Sequence, residues 1–328
     1  MPTDEKLYIS QVSDSTGDNP VLYAFKDSEA VRKTGEASYG DIYGLFEDLF
    51  ITFTGTESFT LKTSNGKMWN GTIEYSTDAN TWTEWDGSSS TAISSGTGNV
   101  LYLRGKNNTH ISGTTSSSIY SSFVFTTTGT IACTGDIRTL LDYENPENTT
   151  MDNYCYYFMF KNCTALTTIP ALPATTLVAN CYNSMFGGCT SLTNAPALPA
   201  TTLADYCYQN MFYNCTSLTV APALPATKLA INCYSNMFRN CIALTAIPAL
   251  PATTLATSCY RYMFYGCTKI KLSTTQTGAY QTAYRIPRSG NGTTGTNSLN
   301  SMFTSTGGTF TGTPSINTKY YTSNTVVS

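Results

Sequence analysis

The stretch CYNSMFGGCTSLTNAPALPATTLADY, residues 181–206, is one of five in-phase copies of a 26-residue pattern running from Tyr154 to Ile270. Cys155, Cys181, Cys207, Cys233 and Cys259 mark the beat, each followed eight residues on by Cys163, Cys189, Cys215, Cys241 and Cys267. Between them stand a Tyr and a Met-Phe pair, and after the second Cys of the first four copies comes a Leu and then P-A-L-P-A-T. A fixed period in the twenties predicts a solenoid, because one such unit buries its apolar side only against its neighbours.

Within a unit, Cys155, Met159 and Cys163 fall at i, i+4 and i+8, which predicts a helix of about two turns with all three on one inward stripe and Phe160 beside them. Asn162, Gly188, Asn214, Asn240 and Gly266 precede the second cysteines, and these residue types readily take the left-handed conformation that ends a helix. The next segment, Leu192 to Leu198 for example, mixes Thr with apolar residues before meeting proline, and is expected as a short strand. The outward positions of the expected helix vary from unit to unit. Tyr157, Asn183, Gln209, Ser235 and Arg261 form one row; Lys161, Tyr213, Arg239 and Tyr265 lie on another. Mixed Tyr, Arg and Asn make these residues the candidate binding face.

The signature C-Y-x-x-M-F-x-x-C-T-x-L-T-x-x-P-x-L-P-A-T-x-L resembles the BspA-like branch of leucine-rich repeats. That resemblance implies a helix and short strand per coil and association with cell-surface and virion-borne attachment proteins, and carries no enzymatic activity with it.

Charged residues make up 12% of the 328 residues and the net charge is −3, so there is no basic stripe to neutralise phosphates, and nucleic acid is not an expected partner. No apolar run approaches the 18 residues or so of a membrane-spanning helix, so no membrane insertion is expected, and Met1 to Ser10 does not read as a signal peptide. Ten of the eleven cysteines are periodic. Two in one helix would sit about 12 Å apart, beyond bridging reach. Equivalent cysteines in adjacent coils would be about 5 Å apart, so bridging between coils stays open beside buried free thiols.

Upstream, Leu7 to Asp27 reads as strand, loop and strand, and Asp27 to Lys33 as a short helix. The pattern Y-I-S-Q-V, a polar loop, then L-Y-A-F-K-D-S-E-A-V-R resembles the opening of many bacteriophage tail and fibre proteins, which implies docking onto other virion proteins. Ile42, Leu45, Phe46, Leu49 and Phe50 form a helical stripe, either packed on the next domain or serving as a self-association seam, as in a trimer. Residues 51–130 alternate apolar positions between Asn-Gly and Asp-Gly turns and predict an antiparallel β-sandwich. Trp82 and Trp85, three apart, should face opposite sides of a strand, so one is expected at the surface as a candidate glycan contact.

The expected organisation is an N-terminal attachment segment (1–50), the β-sandwich (51–130), the solenoid with an N-terminal cap around Gly135 to Leu141 (131–270), and a degenerate repeat with C-terminal cap (271–328). In that last part Ser301-Met302-Phe303 repeats the Met-Phe signature. With one His, no nucleophile elbow and no phosphate-binding loop, no enzyme, cofactor or metal is expected. The functional expectation is a virion structural protein, a fibre or surface appendage presenting the solenoid to a host surface protein or glycan. The alternative is a bacterial cell-surface adhesin.

Overall fold

The computed structural model describes residues 8–13, 20–26, 29–31, 49–114 and 119–328. The chain divides into two compact units, Met1–Asp48 and Leu49–Ser328. In the first, strands β1 (Tyr8–Ser13), β2 (Pro20–Lys26) and β3 (Glu29–Val31) pair antiparallel in chain order. The helix expected over 27–33 is corrected for the described residues Glu29–Val31, which form a strand, Phe25 pairing with Ala30 and Ala24 with Val31; residues 27–28 and 32–33 lie outside the described residues. Ile42, Leu45 and Phe46 of the expected stripe lie outside the described residues.

The second unit is mainly β. It opens with β4 (Ile51–Gly55), β5 (Thr60–Thr63), β6 (Thr72–Ser76), β7 (Thr83–Glu84), β8 (Ile93–Ser94), β9 (Val100–Lys106), β10 (Phe123–Thr126) and β11 (Ile131–Thr134), followed within the repeats by β12 (Leu166–Thr168). These form a three-stranded sheet, β10-β5-β8, and a six-stranded sheet, β12-β11-β4-β9-β6-β7, neither closed. Alternation does the sorting: in β9 Leu101, Leu103 and Gly105 point inward while Val100, Tyr102, Arg104 and Lys106 are half-buried. Phe53 and Phe125 meet edge to face at 5.1 Å, one from each sheet. The larger sheet crosses the boundary expected at 130/131, because β11 pairs antiparallel with β4 on one side and parallel with β12 on the other.

The five repeats contain no α-helix. From Asp152 to Cys163 the chain is a run of overlapping turns: Cys155, Tyr157, Met159, Lys161 and Cys163 each donate the backbone N–H to the carbonyl three residues back. The amides between them point the other way, along the array. Tyr154, Tyr156, Phe158, Phe160 and Asn162 donate to Ala179, Cys181, Asn183, Met185 and Gly187 of the next unit at 2.8–3.1 Å. The same five-bond junction recurs after every unit, and after the fifth it lands on residues 296–304, so the expected degenerate repeat around Met302-Phe303 occupies a sixth place.

A residue with positive φ every four positions makes this geometry: Tyr154, Phe158 and Asn162 lie at φ 66, 61 and 62, and Asn232, Asn236 and Asn240 at 54, 56 and 61. Such residues suit the third position of a turn and cannot continue an α-helix. The expected left-handed residues before the second cysteines are therefore present, Gly188 at φ 81 and Gly266 at φ 74 among them, but each belongs to a beat rather than to a helix end. A four-residue beat and a 3.6-residue turn place i, i+4 and i+8 together equally well, which is why the spacing alone predicted a helix.

The beat alternates two residues in and two out. Cys155-Tyr156, Met159-Phe160 and Cys163 are buried, as are their counterparts in each later unit. Phe160, Phe186, Phe212, Phe238, Phe264 and Phe303 form one column with ring centroids 5.5–5.8 Å apart and planes within 12°. Tyr156, Tyr182, Tyr208, Tyr234 and Tyr260 form a second. All eleven cysteines are buried and unpaired. From the second unit on, the second thiol donates to a phenylalanine carbonyl of the unit before, as Cys189 does to Phe160 at 3.1 Å and Cys241 to Phe212 at 3.0 Å.

On the opposite side the expected strand is three residues long in the first and fourth units, Leu166–Thr168 and Ala246–Pro248, and between them it shrinks to parallel bridges, Asn194 with Val220 and Val220 with Ala246, while a second line of bridges joins Thr176, Thr202, Lys228 and Thr254. The prolines cannot donate to a ladder, so pairing between neighbouring units stays at single residues. The repeated Thr has a structural role here: Thr219 Oγ1 donates to the Thr193 carbonyl and Thr245 Oγ1 to that of Thr219, both at 3.2 Å.

Candidate functional site

With the amides of the turn run committed within turns or across junctions, side chains are what the outward face offers a ligand. The four-residue beat turns one predicted row inward in three places. Tyr157, Asn183 and Ser235 are 7%, 5% and 1% exposed, a correction to their expected place on a solvent-facing helix. The polar ones instead tie units together, Asn183 Nδ2 donating to Gln209 Oε1 at 3.0 Å and Ser235 Oγ to the Arg261 carbonyl at 3.3 Å. Tyr157 packs against Tyr154, Phe158 and Tyr120.

Lys161, Gln209, Tyr213, Arg239, Arg261 and Tyr265 are half-buried. Four of them converge. The Arg239 guanidinium lies over the rings of Tyr265 at 4.8 Å, Tyr262 at 5.5 Å and Tyr213 at 5.9 Å, so three consecutive units surround one cation. Arg261 lies over Tyr262 at 4.7 Å, with Nη2 3.3 Å from the Tyr262 hydroxyl. Sequence reasoning missed Tyr262. It occupies a positive-φ position of the beat, φ 55, and reading the beat as turns rather than helix would have placed it beside Arg239. Neither arginine has a carboxylate partner among the described residues, and the Nε of each is buried without an acceptor. Arg104 and Arg138, by contrast, are paired with carboxylates: Arg104 Nε sits 2.7 Å from Glu74, and Arg138 Nη2 2.6 Å from Asp136.

At the first unit, the Lys161 ammonium lies 4.0 Å from the Phe158 ring centre, at the mouth of a groove of about 380 Å³ between edge strand β10 and the turns, lined by Asn65, Tyr120, Phe125 and Thr164 among others.

Trp85 is corrected as a glycan contact. It is 2% exposed, packed against Trp69 at 5.2 Å and Phe123 at 5.7 Å. Trp82 is half-buried, with the Arg104 guanidinium 4.0 Å from its ring and Tyr143 4.1 Å from the same guanidinium. The opposite-face argument assumed a strand through both tryptophans, whereas β7 holds Thr83 and Glu84 alone.

Burial raises every thiol of the repeats, Cys181, Cys215, Cys259 and Cys267 to about 12, which disfavours the thiolate form near neutral pH. In comparisons with family models, curated proteins and solved structures, nothing matches this chain.

Proposed function

We propose that this chain is a non-enzymatic attachment module: a BspA-like leucine-rich-repeat solenoid capped by an antiparallel β-sandwich, carried on a bacteriophage virion as a fibre or surface appendage. Its N-terminal segment docks to other virion proteins, and its array is presented to a host surface protein or glycan. The observation that carries this reading is the division of labour within each unit. Inward side chains stack unit on unit and every second amide of the turn run is spent on the next unit through the same five-bond junction, while at varying positions of the outward face Tyr213, Arg239, Tyr262 and Tyr265 gather. A repeated scaffold that varies at surface side chains suits recognition.

Mass spectrometry of purified virions, paired with binding of the full chain to host cells, tests the reading. The chain in the particle and bound to cells is the expected result. Its absence from particles together with its presence in a bacterial envelope fraction would favour the adhesin instead.

A further inference from the structure

We infer that the cluster centred on Arg239 is a binding site for an acidic carbohydrate, a sugar bearing a carboxylate or sulfate; the inference rests on the attachment reading and names its ligand. The charge is in place. Residues 151–328 hold nine Lys and Arg against two Asp and Glu, Asp152 and Asp205, so the array is a positive half within a chain of net charge −3. The cations are also held. Of the five N–H donors of a guanidinium the Nε–H is buried in both arginines, and of the four Nη donors Arg239 spends one, Nη1 to Asn236 Oδ1 at 3.3 Å, and Arg261 spends one, Nη2 to the Tyr262 hydroxyl. Stacking on Tyr265 and Tyr262 restrains each planar group before a ligand arrives, which lowers the ordering cost of binding.

An acidic sugar matches both kinds of group. Its anion takes paired N–H donors from a guanidinium fork, and its ring C–H face packs on tyrosine while the phenol hydroxyls meet sugar hydroxyls. An acidic peptide matches less well. A peptide that binds by strand addition gains much of its affinity from main-chain pairing along a sheet edge. The turn run offers none, since Tyr213 N–H goes to Asn210, Asn214 N–H to Arg239, Arg239 N–H to Asn236 and Asn240 N–H to Tyr265.

The test is calorimetric titration of the full chain, at fixed salt, with polygalacturonate as the carboxylated probe, heparin as the sulfated probe and dextran as the neutral one. Binding to at least one acidic probe and none to dextran is expected, and which probe binds separates carboxylate from sulfate. Arg239→Gln and Tyr265→Ala should each weaken it at least tenfold, while Arg288→Gln, an exposed arginine outside the cluster, changes it less than twofold. Arg239→Lys keeps the charge without the fork and should also lose at least fivefold, which guards against a fold defect in the glutamine variant, with thermal melting followed for each. Equal losses for Arg239→Gln and Arg288→Gln, or no binding of either acidic probe, overturn the inference. Host-cell binding that persists in saturating probe and with Arg239→Gln also overturns it, while leaving the attachment reading intact. Failure of the unmodified chain to bind cells at all would sink the attachment reading itself.

Discussion

Cys163 Sγ donates to the Phe123 carbonyl at 3.2 Å, and the Phe123 amide donates to the Met159 carbonyl at 2.7 Å. Every later unit repeats both bonds: Cys189 donates to Phe160, whose amide donates to Met185. Phe123 belongs to β10, yet it stands where the phenylalanine of a preceding unit would, with its ring 5.6 Å from Phe160 and edge-on rather than parallel. The array therefore begins on a residue borrowed from the β-sheets. Ile111 extends the substitution, its amide donating to Cys155 as Tyr156 donates to Cys181.

If Phe123 is the end plate of the column, Phe123→Ala should cost about 3–5 kcal/mol, comparable to Phe212→Ala in the middle, because both leave a cavity between aromatic neighbours. Urea denaturation of the two variants checks this. A loss under about 1 kcal/mol for Phe123→Ala would mean that the first unit does not lean on β10.

The thiol ladder predicts an alkaline limit. For a thiol whose pKa is raised by burial, the folded state gains relative to the unfolded one only while unfolded thiols stay protonated. That contribution is whole below the ordinary value of 9.0 and is lost as pH rises toward about 12. At pH 10 each such thiol should already have lost on the order of 1 kcal/mol of that contribution. Melting temperature should be flat from pH 6 to 8 and fall steeply above 9, with alkylating reagents modifying the cysteines only after unfolding. Rapid labelling of folded protein at pH 8 would contradict the burial.

Gly188 tests the beat. Its φ is +81, and a Cβ there would come within 2.3 Å of Asn162 Oδ1. Gly188→Ala is expected to destabilise by about 1–3 kcal/mol, strain and contact together. Combining it with Asn162→Ala removes the contact, so the double variant should lose less than the sum of the two singles. Additive losses in chemical denaturation would place the cost in the backbone alone.

Asn324 fastens the C-terminal end. It is 8% exposed, its Nδ2 donating to the carbonyls of Thr245 at 2.9 Å and Lys269 at 3.1 Å, and its Oδ1 accepting from the Lys271 amide at 2.7 Å. Asn324→Ala should cost about 2–4 kcal/mol, since several buried groups lose partners at once. Hydrogen exchange should then speed up first in units four and five. Uniform acceleration from the first unit onward would show that the array unfolds as one block.

The period, the inward residues and the left-handed Asn and Gly were legible because each has a local cause: Phe186 and Cys189 recur where neighbours must be filled, and Gly188 where a Cβ does not fit. The helix was misread because a four-residue turn beat and an α-helix share the i, i+4 spacing. What separates them, donation of every second amide to a residue 25 positions on, is long-range and leaves little local trace. The site was half legible for the same reason. Tyr213, Arg239 and Tyr265 lay on one predicted row, but Asn183 and Ser235 faced inward and Tyr262 joined from a position that helical spacing does not put beside Arg239.

The junction bonds have one more effect. Each unit hands the next the same five donors and receives them on the same five carbonyls, so the end pieces cannot sense how many units stand between them. Segments such as Ile111 and Phe123 at one end, and residues 296–304 at the other, would fit an array of four or seven as well as one of five. Reach is thus decoupled from folding: whole 26-residue units can be gained or dropped in frame, changing how far the tip extends while every surviving contact stays as it was.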